Sequence, residues 1–187
     1  MTTQLLGDPL ARTIDAVQTD LRQAPEPPIV TFAVDTVLVD GYRTQAQIRD
    51  FSLTVDEPPT IGGADTGPTP VELVLAGLGT CQEIVYATYA RVLGIPLTGV
   101  RVLAEGRLDL RGFFGVADVP AGFQDVTFDV AIDSPADPAD VTRLVEAVNA
   151  HCPVLDILRQ PVTVTGSYTF NDESFAVEDA VVAVTAD

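Results

Sequence analysis

The stretch "TPVELVLAGLGTCQEIVYATYARVLG", Thr69 to Gly94, decides how the rest of the chain is read. Thr69 can cap a helix, Pro70 suits its first position, and Glu72 completes a T-x-x-E capping box. The pattern predicts a helix from Pro70 to Leu93, stopped by Gly94 and Pro96. Leu73, Val74, Leu75, Leu78, Ile84, Val85, Tyr86, Tyr89, Val92 and Leu93 make it apolar on nearly every side, so it is expected to be buried all round. Its middle carries Ala76, Gly77, Gly79 and Thr80. A glycine there costs about 1 kcal/mol against alanine, which suggests close approach of another backbone. Cys81 follows this small-residue patch directly.

Upstream, Asp8 can cap a first helix with Pro9 at its first position, and Leu10, Ile14, Val17 and Leu21 fall on one face. Ile29–Val39 and Thr44–Val55 read as strands joined by the turn "VDGYR". The Pro- and Gly-dense "DEPPTIGGADTGPTP" reads as a loop. Downstream, Val100–Leu110 and Val126–Ile132 read as strands around a loop with Phe113, Phe114 and Phe123. Asp137 and Pro138 open a helix whose buried stripe is Val141, Leu144, Val145 and Val148. Val162–Phe170 reads as a final strand, and the tail from Asn171 has five acidic residues and no basic one. It is expected to pair as an edge or to move. The order α, ββ, α, ββ, α, β points to an α+β fold with a mainly antiparallel sheet.

Composition narrows the chemistry. The chain has 187 residues, a net charge of -17, ten arginines and no lysine. Such acidity disfavours phosphate backbones and anionic lipids, so neither a nucleic-acid nor a membrane role is expected. Without lysine there is no P-loop lysine and no Schiff base. The single histidine, His151, excludes a multi-histidine metal site within one chain. No secretory signal is visible, so a cytoplasmic location is expected, where a structural disulfide is disfavoured and a transient redox pair is the option of interest.

The two cysteines, Cys81 and Cys152, lie 71 positions apart. Cys152 precedes Pro153, which pushes it out of the α region. The helix from Pro138 should therefore break at His151–Cys152, with a new turn starting at Pro153 and Cys152 at its N-terminus, where a thiolate is favoured. The plain alternative is a small hydrophobe filling a kink. Cys81, mid-helix and buried, needs a cation to react, and Arg43 or Arg49 on the hairpin are the candidates. Glu72 either only caps its helix or also orients that arginine. Nine residues separate Glu72 from Cys81, about 13 Å of rise and opposite faces. If both serve one site, an arginine bridges them or two chains contribute.

The stretch "DEPPTIGGADTGPTPVELVLAGLGTCQ", the exit "GIPL", the strand end "LDLRGFFG" and "HCPVLDIL" together resemble the OsmC/Ohr family of osmotically inducible and organic-hydroperoxide-resistance proteins. The resemblance divides the chain into an N-terminal helical extension (1–28), an OsmC-like domain (29–170) and an acidic tail (171–187). It implies an intertwined homodimer with curved antiparallel sheets around two central helices. It also implies thiol-dependent reduction of organic hydroperoxides, with no cofactor or metal and with an external dithiol as reductant. Carried over, Cys81 is the peroxidatic thiol and Cys152 the resolving thiol, with Glu72 at the helix start and Arg43 as the activating arginine, Arg49 being the other possibility. Phe113 and Phe114 are candidates to line the substrate pocket. Two readings compete with the peroxidase: a non-catalytic OsmC-like protein that binds an apolar small molecule or partner, and a metal site at Cys81, His151 and Cys152, whose spacing is unusual for ligands.

Overall fold

The computed structural model describes residues 8–177. The helices are α1 (Pro9–Gln23), α2 (Pro70–Leu93), α3 (Leu110–Phe113), α4 (Pro138–His151) and α5 (Pro153–Arg159). The strands are β1 (Asp35–Asp40), β2 (Arg43–Ile48), β3 (Phe51–Val55), β4 (Gly99–Leu108), β5 (Phe123–Asp133), β6 (Ser167–Phe170) and β7 (Glu173–Ala176). They form three antiparallel sheets, ordered β1-β2-β3, β4-β5 and β6-β7. The architecture is α+β, as the element order implied.

The elements around α2 form for the reasons expected. Thr69 Oγ1 accepts from the Glu72 N–H while the Glu72 carboxylate accepts from the Thr69 N–H at 2.7 Å, closing the capping box. Gly94 ends the helix in the left-handed conformation, φ 68°. The loop before α2 is wound around Asp56, whose carboxylate accepts from the N–H groups of Glu57, Ala64 and Thr66 and from the Thr66 hydroxyl. Gly63 is obligatory in that winding, because a Cβ there would meet the Glu57 carbonyl oxygen at 1.7 Å. Asp8 caps α1 and also holds Arg91 Nε at 2.7 Å, tying α1 to α2.

The core is the packing of α2 on α4, α5 and the β4–β5 ribbon. Leu78, Tyr86, Leu144, Val148 and Leu155 are its buried centre. The α4 stripe is the one the periodicity predicts, with Leu144 and Val148 fully buried and Val145 packed beside them. Glu83 Oε1 accepts from the Val102 N–H at 3.3 Å, fastening α2 to β4.

Several expectations are corrected. The segment Thr44–Val55 is two strands, because Arg49 adopts φ 55° and turns the chain back. The first strand starts at Asp35, not Ile29. Asp137 occupies the N-cap of α4, but its side chain makes no capping bond. The last strand shrinks from Val162–Phe170 to Ser167–Phe170, and part of the acidic tail pairs with it as β7 through a turn with Asn171 and Asp172 both at positive φ. That is the primed turn that matches strand twist. The remaining tail, from residue 178, lies outside the described residues.

The largest correction concerns α2. It is buried on one side only: Val71, Val74 and Ile84 are exposed, Ile84 at 66%. Among the described residues no backbone closes on Gly77, where a Cβ would meet nothing within 4 Å. The chain has one α4 and one β4–β5 ribbon to lay on this helix, and they cover one face. Strand β1 is exposed along its whole length, Val37, Leu38 and Val39 included, and so are Ile29, Val30 and Phe32 before it.

Candidate functional site

Pro153 builds the site. It bars α4 from continuing, and Cys152 takes an extended conformation (φ −83°, ψ 110°) that ends α4 and starts α5. The break turns the Cys152 side chain into the core, where it is 1% exposed. Cys81 comes from the middle of α2 and is half-buried at the edge of the same core. The two sulfurs lie 3.4 Å apart, as free thiols in contact. A disulfide needs them about 1.4 Å closer.

The electrostatics run opposite to a simple expectation. Burial is the main cause that pushes the Cys81 thiol above its ordinary value of 9.0, and contact with Cys152 adds to it. The Val154 N–H works against both. The Val154 N–H at the start of α5 thus favours the Cys81 thiolate. Cys152 stands at the N-cap as predicted, but its side chain makes no capping bond.

The remaining candidates lie elsewhere in the chain. Arg43 begins β2 and stands 4.0 Å from the Asp40 carboxylate. Arg49 lies over the Phe51 ring, 5.2 Å from its centroid. Among the described residues, no guanidinium is one of the groups acting on the Cys81 thiol. Glu72 serves the capping box. His151 stacks on Tyr89 at 4.7 Å between centroids and bonds the Ala147 carbonyl through Nδ1 at 2.7 Å. Phe113 and Phe114 pack edge to face on each other, half-exposed, on α3 and at its end.

About one helical turn from each thiol, Leu78 and Leu155 line a cavity of about 440 Å³, with Val126, Phe128, Leu158 and Arg159 around it. Its walls are mixed, with Gln124, Asp125 and Arg159 placing polar groups beside the leucines and phenylalanines. Arg159 was not singled out from the sequence, since an arginine ending a short helix carries no distinguishing pattern. Gln82 was also missed, although a signal existed: it interrupts the apolar stripe Leu78, Val85, Tyr86 and is itself fully buried.

Comparison with known proteins agrees with this architecture. A family model for OsmC-like protein matches residues 62–167, which include both cysteines. The fold is similar to an OsmC-like protein from Mycoplasma pneumoniae at 19% identity, with 71% of this chain and 89% of that one covered and a TM-score of 0.61. It is similar to an organic hydroperoxide resistance protein OsmC from Legionella pneumophila at 22% identity, covering 70% and 90%, TM-score 0.55. An organic hydroperoxide resistance protein from Elizabethkingia anophelis, crystallised with thiocyanate bound, matches at 18% identity, 71% and 91%, TM-score 0.52. No match is found among curated proteins. With more than half its length matched, the chain belongs to the OsmC-like protein family.

Proposed function

We propose that this protein is a thiol peroxidase for organic hydroperoxides, with Cys81 as the attacking thiol and Cys152 as the resolving one. The 3.4 Å approach of two free sulfurs from separate helices carries the reading. The Cys81 thiolate attacks the distal peroxide oxygen, the O–O bond breaks, and the alkoxide leaves as alcohol after taking a proton. Sulfur is oxidised by two electrons to a sulfenic acid. Cys152 then attacks that sulfur, the S–O bond breaks, water leaves, and a disulfide forms. An external dithiol reduces it by exchange, as a reducing compartment such as the cytoplasm permits. No metal or cofactor enters these steps.

The thiol that burial holds protonated needs a cation to ionise near neutral pH. In this account the cation is Arg43, with Glu72 orienting it, and they reach Cys81 across a homodimer. The apolar side chains left open on β1, on the segment before it and on α2 support a second copy as their cover. The cavity about one helical turn from each thiol offers Leu78, Val126, Phe128, Leu155 and Leu158 to the organic part of a hydroperoxide, with polar groups among them. The same cavity favours a second reading, a non-catalytic protein that binds an apolar small molecule. Steady-state turnover separates the two. With dithiothreitol as reductant, the protein should consume cumene hydroperoxide, and Cys81→Ser should abolish consumption. A ligand-binding protein would leave the hydroperoxide intact.

A further inference from the structure

Three buried polar side-chain atoms have no hydrogen-bond partner among the described residues: Gln82 Nε2, Gln82 Oε1 and Asn149 Oδ1. All sit on the two helices that deliver the thiols. Gln82 follows Cys81 directly and is 0% exposed. It stands four residues after Leu78 and four before Tyr86, so it shares their core-facing stripe. Asn149 lies about one turn before Cys152 on α4. An apolar side chain of the same length would fill the space of Gln82 without the cost of burying an unpaired amide. An orphaned amide beside a redox-competent thiol calls for an explanation in the chemistry of that thiol.

Reduced Cys81 offers the amide only a sulfur, a weak hydrogen-bonding atom. Oxidation changes this. The oxygen transferred from the peroxide becomes a hydroxyl on sulfur, which donates one hydrogen bond and accepts others. We propose that Gln82 is the hydrogen-bonding partner of oxidised Cys81, its Nε2–H donating to the transferred oxygen and its Oε1 accepting from the sulfenic O–H. The inference rests on the peroxidase reading. As the O–O bond breaks, the N–H meets the oxygen that stays on sulfur. When Cys152 attacks and the S–O bond breaks, the same N–H steadies the departing hydroxide until it leaves as water. Adjacent residues place their Cα atoms about 3.8 Å apart. On a helix their side chains diverge by about 100°, but both border one core, and the glutamine side chain has the length to turn its amide toward an oxygen carried on the cysteine sulfur.

The test is Gln82→Met in the full chain, followed by the rate of thiol loss with cumene hydroperoxide and by thermal melting of the reduced protein. Expected are an unchanged or higher Tm, because an unpaired buried amide is gone, and oxidation slower by about tenfold or more. Oxidation within about twofold of the unsubstituted protein overturns the inference. A lowered Tm with that same unchanged rate makes Gln82 merely structural. Failure of the unsubstituted protein to react sinks the peroxidase reading instead. Should the variant not fold, NMR of the Gln82 side-chain amide in Cys152→Ser decides the matter. Its resonance should move when the sulfenic acid forms, and an unmoved resonance overturns the inference.

Discussion

The sulfurs of Cys81 and Cys152 lie 3.4 Å apart, although one sits in the middle of a long helix and the other at a proline-enforced break 71 residues away. Two such thiols in contact are either a packing accident or a redox pair, and the two differ in how they respond to an oxidant.

Replacing the resolving thiol should stop the cycle halfway. In Cys152→Ser, one equivalent of hydroperoxide should leave a sulfenic acid on Cys81 that dimedone labels, and peptide mapping should find the label there. Label on Cys152 in the reciprocal Cys81→Ser protein would reverse the assigned roles.

The activating arginine is expected to cross between chains, since Arg43 stands beside Asp40 and not beside the thiols of its own chain. Arg43→Ala should slow oxidation by about 100-fold or more, the order expected for losing a charge that steadies a reacting anion. Mixing Arg43→Ala with Cys81→Ser chains should restore part of the activity, because hybrid dimers then hold one intact site. Two inactive parents whose mixture stays inactive would place the arginine within one chain or remove it from the mechanism.

The loop that leads into α2 should be acid-sensitive through Asp56. The Thr66 hydroxyl, followed by the N–H groups of Glu57, Thr66 and Ala64, holds its carboxyl below the ordinary 3.8 against the opposing effect of burial. The folded value is lower than the unfolded one, so the stabilisation is complete above the unfolded value and is lost as pH falls toward the folded one. Thermal melts from about pH 6 to pH 3 should therefore show a smaller decline in Asp56→Asn than in the native sequence, from a lower starting Tm. Equal declines would show that Asp56 carries no such linkage.

What the sequence discloses follows from how local each cause is. The capping box of Thr69 and Glu72 and the break at Pro153 are set by a few neighbouring residues, and both are legible. The α4 stripe of Leu144 and Val148 is legible because a helix repeats its faces. The turn at Arg49 is not, since it lacks the glycine or proline that marks such turns and relies on an arginine at positive φ. The exposure of Ile84 and Val74 escapes periodicity because an apolar pattern does not say how much of a helix the other elements of the chain can reach. For the site, each cysteine could be placed on its element and a redox pair stood as an option, but the roles of the two thiols followed from the family resemblance. The influence of the Val154 N–H on Cys81 and the unpaired Gln82 amide depend on packing between helices, which no linear spacing encodes.

The central claim is that a hydroperoxide drives these two thiols into one bond. The direct measurement is peptide mapping by mass spectrometry after the reduced protein meets one equivalent of cumene hydroperoxide and is quenched with an alkylating agent within seconds. A linked Cys81–Cys152 peptide and the loss of both free thiols are expected. Both cysteines recovered alkylated, as in the untreated protein, would contradict it.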